Sequence, residues 1–315
     1  MKELFLMELI GKKFNFVSKN KLKELEQLSQ VQGTDQNNDS YIKTVLKRFF
    51  KDKVATVSLI IFLLIVLAAV LAPIIAPYSP SKSVGYFEAA PSGKFLLGTD
   101  DVGRDVLSRL IYGSQASLTV GILSVLIYAA IGTTLGLLSG FLGGFWDSVI
   151  MRITDVFMSF PYFIVILVVV SLIGPGLWTV TFAIGFLNWP VLCRLVRGEV
   201  MKLRKVDYVQ AAVASGYNTF QITFKHIFPN TLGIILVNMT FGIATSIITE
   251  ASLSFLGAGV QPPTPSWGNL MSDAQSINVL ANEYWQWLPP GIMILLAVLS
   301  INFVGDGLRR AVEGK

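Results

Sequence analysis

Six apolar stretches, separated by polar segments, divide this chain of 315 residues. They run from 54 to 76, 118 to 142, 156 to 173, 176 to 196, 231 to 256 and 288 to 308. Each is close to the ~20 residues that a helix needs to cross the hydrocarbon core of a bilayer. The runs are continuous and do not alternate over ten-residue strands, which excludes a closed β-barrel. The pattern predicts an all-α polytopic membrane protein with six transmembrane helices.

The polar segments predict how the chain is organised around these spans. The N-terminal 53 residues form a polar tail, in which residues 21–28, KLKELEQL, are either a surface helix or part of a loosely ordered tail. After the first span at 54–76, residues 77–117 form an outer loop. Residues 118–310 form a core of five helices that includes a polar hairpin at 207–229, and residues 311–315 form a short tail.

The outer loop is predicted to contain an interfacial helix that begins at Asp105. From there Val106, Leu107, Leu110 and Ile111 form an apolar face, while Asp105 and Arg109 lie on the other side. Three acidic residues lie close together here, Asp100, Asp101 and Asp105. Their spacing does not match a calcium loop and Arg104 lies among them, so no metal site is predicted.

Composition and charge place the chain in the membrane and orient it. The chain is 53% hydrophobic and 14% charged, with a mean hydropathy of +0.61, which is too apolar for a water-soluble globule of this size. With the N-terminus in the cytoplasm, only four of the 25 lysines and arginines would lie outside, all within 77–117. The positive-inside rule therefore predicts a multi-pass protein of the cell membrane with both termini and the 207–229 hairpin in the cytoplasm. The net charge of +5 lies at membrane flanks and predicts contact with lipid, not with nucleic acid.

Several single residues within the spans also carry expectations. Prolines in or at the edges of the apolar runs remove a backbone hydrogen bond and permit a kink in a helix: Pro161, Pro190, Pro289 and Pro290. The single cysteine, Cys193, is predicted to be a small packed residue of the fourth span. No cleavable signal peptide is expected, because about fifty polar residues precede the first apolar run.

The fifth span carries a stripe of small and polar residues along one line of its helix. These are Asn238, Gly242, Thr245, Thr249 and Ser252. Such a stripe either lines a transport pathway, with Asn238, Thr245, Thr249 and Ser252 as the lining residues, or lets another helix pack closely. Glu250 falls off this stripe near the outer end of the span, where a carboxylate is tolerated, and it is predicted to be interfacial and not catalytic.

The segment 207–229 reads as a helical hairpin rich in polar and small residues. Asp207, with Gln210 three positions later, is predicted to cap a first helix, and Asn218, with Gln221, to cap a second. Gly216 supplies the break between the two helices. One face of the first helix has almost no side-chain bulk and permits close approach by a partner: Ala211, Ala212, Ser215 and Gly216.

The hairpin and three further blocks resemble the permease subunits of ATP-binding-cassette (ABC) importers. The family's coupling loop reads Glu-Ala-Ala, three residues, Gly, nine residues and Ile-x-Leu-Pro; here it reads Gln210-Ala211-Ala212, Gly216 and His226-Ile227-Phe228-Pro229. LGTDDVGRDVLSRLIYG at 97–113 and EASLSFLGAGVQPPTPSWGNLM at 250–271 are similar to blocks of the C-type permease subunit in the oligopeptide, dipeptide and nickel branch of binding-protein-dependent transport. PPGIMILLAVLSINFVGDGLRR resembles the family's ending, so the likeness covers roughly residues 43 to 310.

The resemblance implies a type I ABC importer permease with a cytoplasmic coupling hairpin. Its expected partners are a second homologous permease subunit, two cytoplasmic ABC ATPase subunits and an extracytoplasmic substrate-binding protein. The residues implied in coupling to the ATPases are Asp207, Gln210, Ala211, Ala212, Gly216 and Pro229. No cofactor is expected in this chain: it has no G-x-x-x-x-G-K-[ST] loop, so ATP and Mg²⁺ would be bound by the partner ATPases.

The expected role is ATP-driven import of oligopeptides or dipeptides by a subunit that is not itself an enzyme. An importer of nickel or other metal chelates is an alternative within the same class. An ion-driven secondary transporter is a less favoured one, because such carriers place ionisable groups near the midplane and the span interiors here hold almost none. A membrane enzyme is disfavoured because no nucleophile and base pair can be proposed.

Overall fold

The computed structural model describes residues 41–314, and within that range the chain forms helices and no β-strand. The helices are α1 Tyr41–Lys51, α2 Lys53–Val70, α3 Ala72–Ile75, α4 Val106–Leu142, α5 Gly144–Met158, α6 Tyr162–Ile173, α7 Leu177–Leu187, α8 Trp189–Leu203, α9 Asp207–Ala214, α10 Thr219–Ile222, α11 Phe228–Phe255, α12 Trp267–Met271, α13 Ile277–Asn282 and α14 Tyr284–Glu313. A π-helical turn, Thr223–Ile227, joins α10 to α11, and a 3-10 turn, Ser272–Gln275, follows α12. The candidate helix at 21–28 lies outside the described residues.

Five stretches of the described chain are long and apolar enough to cross a membrane, and the all-α polytopic prediction is confirmed. They are Lys53–Val70, Val106–Leu142, Leu177–Leu203, Thr219–Phe255 and Tyr284–Glu313. A sixth crossing exists if the bent pair α5 and α6 is one span.

The third predicted span, 156–173, is interrupted. Helix α5 ends at Met158, α6 begins at Tyr162, and the two axes differ by 80°. Pro161 lies at the N-cap of α6 with an extended backbone. Proline has no N–H to donate and disfavours helical geometry at the residue before it, so the chain turns here and does not continue straight.

The predicted interfacial helix is not a separate element. Residues 106–117 are the first turns of α4, which continues without a break to Leu142. Asp105 starts this helix: its Oδ2 atom accepts hydrogen bonds from the Ser108 N–H at 2.8 Å and the Ser108 hydroxyl at 2.6 Å. Arg109 is 3% exposed and Val106 is 1% exposed, so both sides of these turns are buried in the protein and neither lies on a membrane surface.

The chain direction gives the bundle two ends, which we name by their contents. The loop end carries residues 71–105 and 256–283, between the spans. The hairpin end carries residues 204–227, the start of α2 and the end of α14. Helix α4 has 37 residues and is therefore about 55 Å long, well over the ~30 Å hydrocarbon core, and it packs against α2, α5, α7, α8 and α11.

A seam of glycines on α4 sets its contact with α8. Gly132, Gly136 and Gly140 lie four residues apart, and at each of them an added Cβ atom would come within 3 Å of α8. At Gly136 that atom would lie 2.8 Å from the Cys193 carbonyl oxygen and 2.8 Å from Val196 Cβ. Cys193 is itself fully buried in this contact, as its assignment to a packed position in the fourth span predicted. The two backbones are thus in direct contact, as is common where small residues bring membrane helices together.

Gly136→Ala is expected to destabilise the protein by about 1–3 kcal/mol, because the new methyl group overlaps the α8 backbone. Gly198→Ala is the matched control: Gly198 lies in helix α8 with open space around its Cα atom, and alanine there should be neutral or stabilising by up to about 1 kcal/mol. Thermal-unfolding midpoints of the purified variants in detergent give the comparison. Equal midpoints for the two variants would contradict the close contact between α4 and α8.

Candidate functional site

The 207–229 hairpin begins differently from the sequence prediction. Val206 is the N-cap of α9, in an extended conformation, and Asp207 is the first helical residue with no capping hydrogen bond from its side chain. The prediction that Asp207 caps the first helix is therefore wrong. The chain leaves α8 through a tight turn in which the Val206 N–H donates to the Leu203 carbonyl, and this turn fixes the helix start one residue earlier. Asp207 still places a carboxylate in the first turn, where the helix dipole favours it.

The break and the second cap of the hairpin are confirmed. At the end of α9, Gly216 has φ +81°, its N–H donates to the Val213 carbonyl, and the Tyr217 N–H donates to the Ala212 carbonyl. This is a Schellman arrangement, for which glycine is suited because it has no Cβ atom. Asn218 and Gln221 then form a reciprocal capping box at the start of α10.

One side of the hairpin is anchored in the core of the bundle. Val209, Ala212, Ile222 and Ile227 are all at most 7% exposed, and they belong to the apolar cluster that includes residues of α4, α5 and α8. Ala212 thus packs inward, although the sequence pattern assigned it to a free face. Movement of the hairpin and movement of these three helices are consequently linked by direct packing.

The other side of the hairpin is exposed and partly apolar. Gln210, Ala211, Ser215, Gly216 and Pro229 are all exposed, so the bulk-free face is present except for Ala212. Beside it lie large apolar side chains that the sequence reasoning missed: Tyr208, Val213, Tyr217, Phe220 and Phe224. Phe220 and Phe224 stack with ring centroids 4.4 Å apart. Their spacing of four residues was the signal that would have identified this pair.

Ion pairs at the hairpin end connect α5 to α8. Arg197 donates to both carboxylate oxygens of Asp147, at 2.5 and 2.6 Å, and Ser139 of α4 donates to the same carboxylate. A second pair joins Arg194, one turn before Arg197 on α8, to Asp155, about two turns after Asp147 on α5. A bidentate guanidinium–carboxylate contact is directional, so these pairs keep the α5–α8 register at the end where the hairpin is attached.

The stripe on α11 does not have a single environment. Gly242 faces the Tyr128 hydroxyl and is buried, and Thr249 is 7% exposed. Asn238 and Ser252 are half-buried, whereas Thr245 is exposed. The hydroxyls of the two threonines and the serine donate to carbonyls of their own helix. The stripe therefore combines close packing at Gly242 and Thr249 with a more open polar side at Asn238, Thr245 and Ser252.

Glu250 is not interfacial, and that prediction is wrong. Its side chain is 0% exposed and lies inside the loop end of the bundle. One oxygen accepts from the Ser117 hydroxyl of α4 at 2.9 Å and the other from the Ser254 hydroxyl at 2.7 Å. The Ser117 hydroxyl in turn accepts from the backbone N–H of Trp267 at 3.1 Å, and the Ser254 hydroxyl accepts from the backbone N–H of Val260 at 3.0 Å. Glu250 thus connects α4, α11 and the 256–267 loop.

Two acidic residues of the loop end, Asp100 and Asp273, have different environments. Asp100 accepts from the Arg104 backbone N–H at 2.8 Å and from its Nε atom at 2.7 Å, and Arg109 Nε lies 3.3 Å from the same carboxylate. Burial raises the pKa of Asp273 to about 6, and the Asp101 carboxylate adds to this shift against the opposing charge of Arg109. Because the folded chain holds this proton more tightly than the unfolded chain, Asp273 lowers stability as the pH rises from about 4 to about 6.

Two family models match this chain. One, described as "Binding-protein-dependent transport system inner membrane component", covers residues 132–315. The other, described as "N-terminal TM domain of oligopeptide transport permease C", covers residues 40–91. The hairpin and the Glu250 network, except for Ser117, lie within the first match.

Curated relatives match most of the chain. A putative peptide permease protein of Brucella suis is 41% identical over 268 residues, which are 84% of this chain and 88% of the relative. The glutathione transport system permease protein GsiD of Pectobacterium atrosepticum is 40% identical over 85% of this chain and 89% of its own length. The dipeptide transport system permease protein DppC of Bacillus subtilis is 37% identical over 88% of this chain and 86% of its own length.

A solved structure shows the same fold. A chain from the inward-facing MetNI methionine ABC transporter aligns with a TM-score of 0.53 and 21% sequence identity. The alignment covers 65% of the present chain and 96% of that chain.

Ser117→Ala is expected to destabilise the protein by about 2–3 kcal/mol, because it leaves one Glu250 oxygen and the buried Trp267 N–H without their partner. Ser252→Ala is the control, since the Ser252 hydroxyl bonds only to the Ile248 carbonyl of its own helix. Its effect should stay below about 1 kcal/mol. The measurement is the thermal-unfolding midpoint in detergent. A Ser117 variant as stable as the Ser252 variant would show that the Glu250 network does not hold the loop end together.

Proposed function

Since this chain belongs to the family of binding-protein-dependent transport system inner membrane components and is a permease subunit of a peptide-type ABC importer, we propose that its 207–229 hairpin is the docking site of a separate ATPase. The observation that carries this proposal is the division of the hairpin into two sides. Val209, Ala212, Ile222 and Ile227 anchor it to the bundle, while the opposite side exposes small residues beside large apolar ones. An exposed apolar patch on a polar segment is typical of a protein interface.

The exposed side has the composition of an interface centre surrounded by polar residues. Val213 is 56% exposed, Phe220 is 68% exposed and Phe224 is 49% exposed. Aromatic side chains are enriched among the residues that contribute most to binding energy. Gly216 and Ala211 lie beside them and allow a partner's backbone to come close. The coupling residues of this proposal are Asp207, Gln210, Ala211, Ala212, Gly216 and Pro229. Ala212 is buried and contributes by packing the hairpin against the bundle, not by contact with the ATPase.

The proposed mechanism is alternating access driven by the partner. Closure of the ATPases on ATP moves the hairpin, and packing transmits the movement to α4, α5 and α8. The bidentate Asp147–Arg197 pair supports transmission as a unit, because α5 and α8 are held together at the end that receives the force. ATP and Mg²⁺ are bound by the ATPases, and this chain supplies no group to the hydrolysis.

The rest of the proposed assembly follows from the family and the charge pattern. A second homologous permease subunit, two ABC ATPases and an extracytoplasmic substrate-binding protein complete the importer. The distribution of lysine and arginine supports an orientation with both termini and the hairpin end in the cytoplasm. The exposed Thr245 and the half-buried Asn238 and Ser252 are the members of the α11 stripe best placed to line a pathway, with Thr249 behind them.

Oligopeptides or dipeptides are the proposed substrates. The named relatives are described as peptide, dipeptide and glutathione permeases, and glutathione is itself a small peptide. Import of nickel or other metal chelates is the alternative within the same importer class. An ion-driven carrier is the alternative outside it, and the buried Glu250 is the specific feature in its favour, since ionisable groups within spans often serve ion transport.

Gly216→Asp is expected to reduce peptide uptake about tenfold or more and to release the ATPases, because it adds a charge to the centre of the docking side. Gly257→Asp is the matched control: both glycines have positive φ and open surroundings, so both variants carry the same backbone strain, but Gly257 lies at the loop end. Partners retained on affinity purification in mild detergent are identified by mass spectrometry, alongside uptake by whole cells. Normal uptake and normal ATPase recovery with Gly216→Asp would refute the docking role.

The energy source and substrate are tested with the complete importer in cells. Uptake of a labelled dipeptide or tripeptide is expected to fall when arsenate depletes ATP and to persist when an ionophore collapses ion gradients. Excess unlabelled peptide should compete, whereas nickel chelates should not. Uptake that stops with the ionophore while ATP remains would favour the ion-driven carrier, and competition by the chelate alone would favour the metal-chelate importer.

A further inference from the structure

A basic pocket lies at the hairpin end of the bundle, away from the 207–229 hairpin. It has a volume of 280 Å³ and lies between the end of α1, the start of α2 and the last turns of α14. Its lining residues are Arg48, Lys51, Asp52, Gly307, Arg310 and Ala311. Three of the six are cations and one is an anion, so the pocket carries a net positive charge.

The single carboxylate in the pocket is fully occupied. Asp52 caps α2: its Oδ1 atom accepts from the Val54 N–H at 3.0 Å and the Ala55 N–H at 3.1 Å. Its Oδ2 atom accepts from Arg310 Nε at 3.1 Å and Nη2 at 2.5 Å. The Arg310 guanidinium lowers the pKa of Asp52, which is therefore ionised at neutral pH. Asp52 neutralises Arg310 and has no oxygen left for another cation.

The charges of Arg48 and Lys51 are not compensated by any residue from 41 to 314. Both side chains are exposed, and neither forms an ion pair with any residue of the part that the structure describes. The nearest acidic side chain along α14, Glu313, pairs with Arg309. Two positive charges without counter-ions among the described residues, beside an arginine with free Nη1 donors, form a site for an anion with several acceptor oxygens.

The pocket is built into the packing of the bundle. Gly307 is in direct contact with α2, since an added Cβ atom would lie 2.2 Å from the Ala55 Cβ. This contact brings the cap of α2 next to Arg310. On the other wall, Val45 and Phe49 of α1 are buried at 9% and 6% exposure, so Arg48 and Lys51 are attached to a packed helix. The backbone segments that carry the three cations are therefore held in place by the fold.

The surroundings of the pocket identify the anion as part of a lipid. Helix α2 enters its apolar span directly after Asp52 and α14 leaves its own at Glu313, so the pocket lies at the level of the headgroups. On α1, Leu46 and Phe50 are 49% and 57% exposed and one turn apart, on the side of the helix that faces away from Arg48. A helix with exposed apolar and basic sides at a bilayer surface binds anionic lipid, and basic pockets between spans on the cytoplasmic side bind lipid headgroups.

We propose that Arg48, Lys51 and Arg310 bind the phosphate of an anionic phospholipid such as phosphatidylglycerol. The phosphate bridges α1 to the Asp52–Arg310 pair that joins α2 and α14, and the acyl chains extend from there into the bilayer. A free phosphate ion shares the headgroup chemistry, but it has no acyl chains to hold it at the level where the two apolar spans begin and end.

The test uses the intact importer purified in mild detergent, with phospholipid retention measured by native mass spectrometry. Wild type is expected to retain phosphatidylglycerol in preference to phosphatidylcholine, and the double variant Arg48→Gln with Lys51→Gln to lose that preference by about tenfold or more. Lys47→Gln with Lys205→Gln is the control: it removes the same charge from the same face of the membrane, but neither residue lines the pocket. If the control loses as much preference as the pocket variant, the binding is a diffuse surface effect and the proposal is overturned.

Two further arms separate a specific site from its rivals. Asp52→Asn keeps a good N-cap but removes the negative charge, so it should retain at least as much phosphatidylglycerol as wild type; a loss would show that the retention reflects only an intact fold. Inorganic phosphate is added up to millimolar concentration as a competitor. If it protects the wild-type protein against heat as well as phosphatidylglycerol does, and no lipid is retained, the occupant is a free anion and the lipid proposal fails.

Discussion

The buried carboxylate of Glu250 is the constraint on which the loop end depends. A charged or polar group with no access to water is tolerated only when its hydrogen bonds are made within the protein. Here two serines on different helices supply them, and each serine also receives a backbone N–H from the loop that closes the bundle. Removing any one member leaves another buried group without a partner. The loop end therefore holds together or comes apart as a unit, and this cooperativity follows from desolvation and not from the number of bonds.

The hairpin end is organised by close contact of backbones instead. Gly132, Gly136 and Gly140 let α4 lie directly on α8, and α8 leads straight into the hairpin. With so little side-chain volume between the two helices, they have few ways to slide separately, and Asp147 with Arg197 adds a directional contact to α5. If the hairpin receives force from a partner as proposed, this arrangement favours its transmission, because a densely packed interior transmits strain.

The sequence predicted those features that depend on local chemistry. Apolar run length gave the helical membrane fold, and the Asn218 capping box and the Gly216 break needed only neighbouring residues. The errors came where tertiary contacts decide. Asp207 had the right spacing for a cap, but the turn after α8 set the N-cap at Val206. The burial of Glu250 could not be predicted, because its serine partner on α4 is 133 residues away in sequence. The helix α1 was missed because its apolar face is short and lies in a polar tail.

The length of α4 has a consequence for whatever meets the loop end. About 25 Å of this helix, divided between its two ends, extends beyond the hydrocarbon core, so part of the surface at the loop end is made of continuous helix and is not a set of free loops. Asp105 and Asp100 fix the chain just before it, and Ser117 attaches it to α11. The conformational entropy of this surface has already been lost on folding. A partner binding from that side would meet a preorganised surface, and little of the binding energy would be spent on ordering that surface.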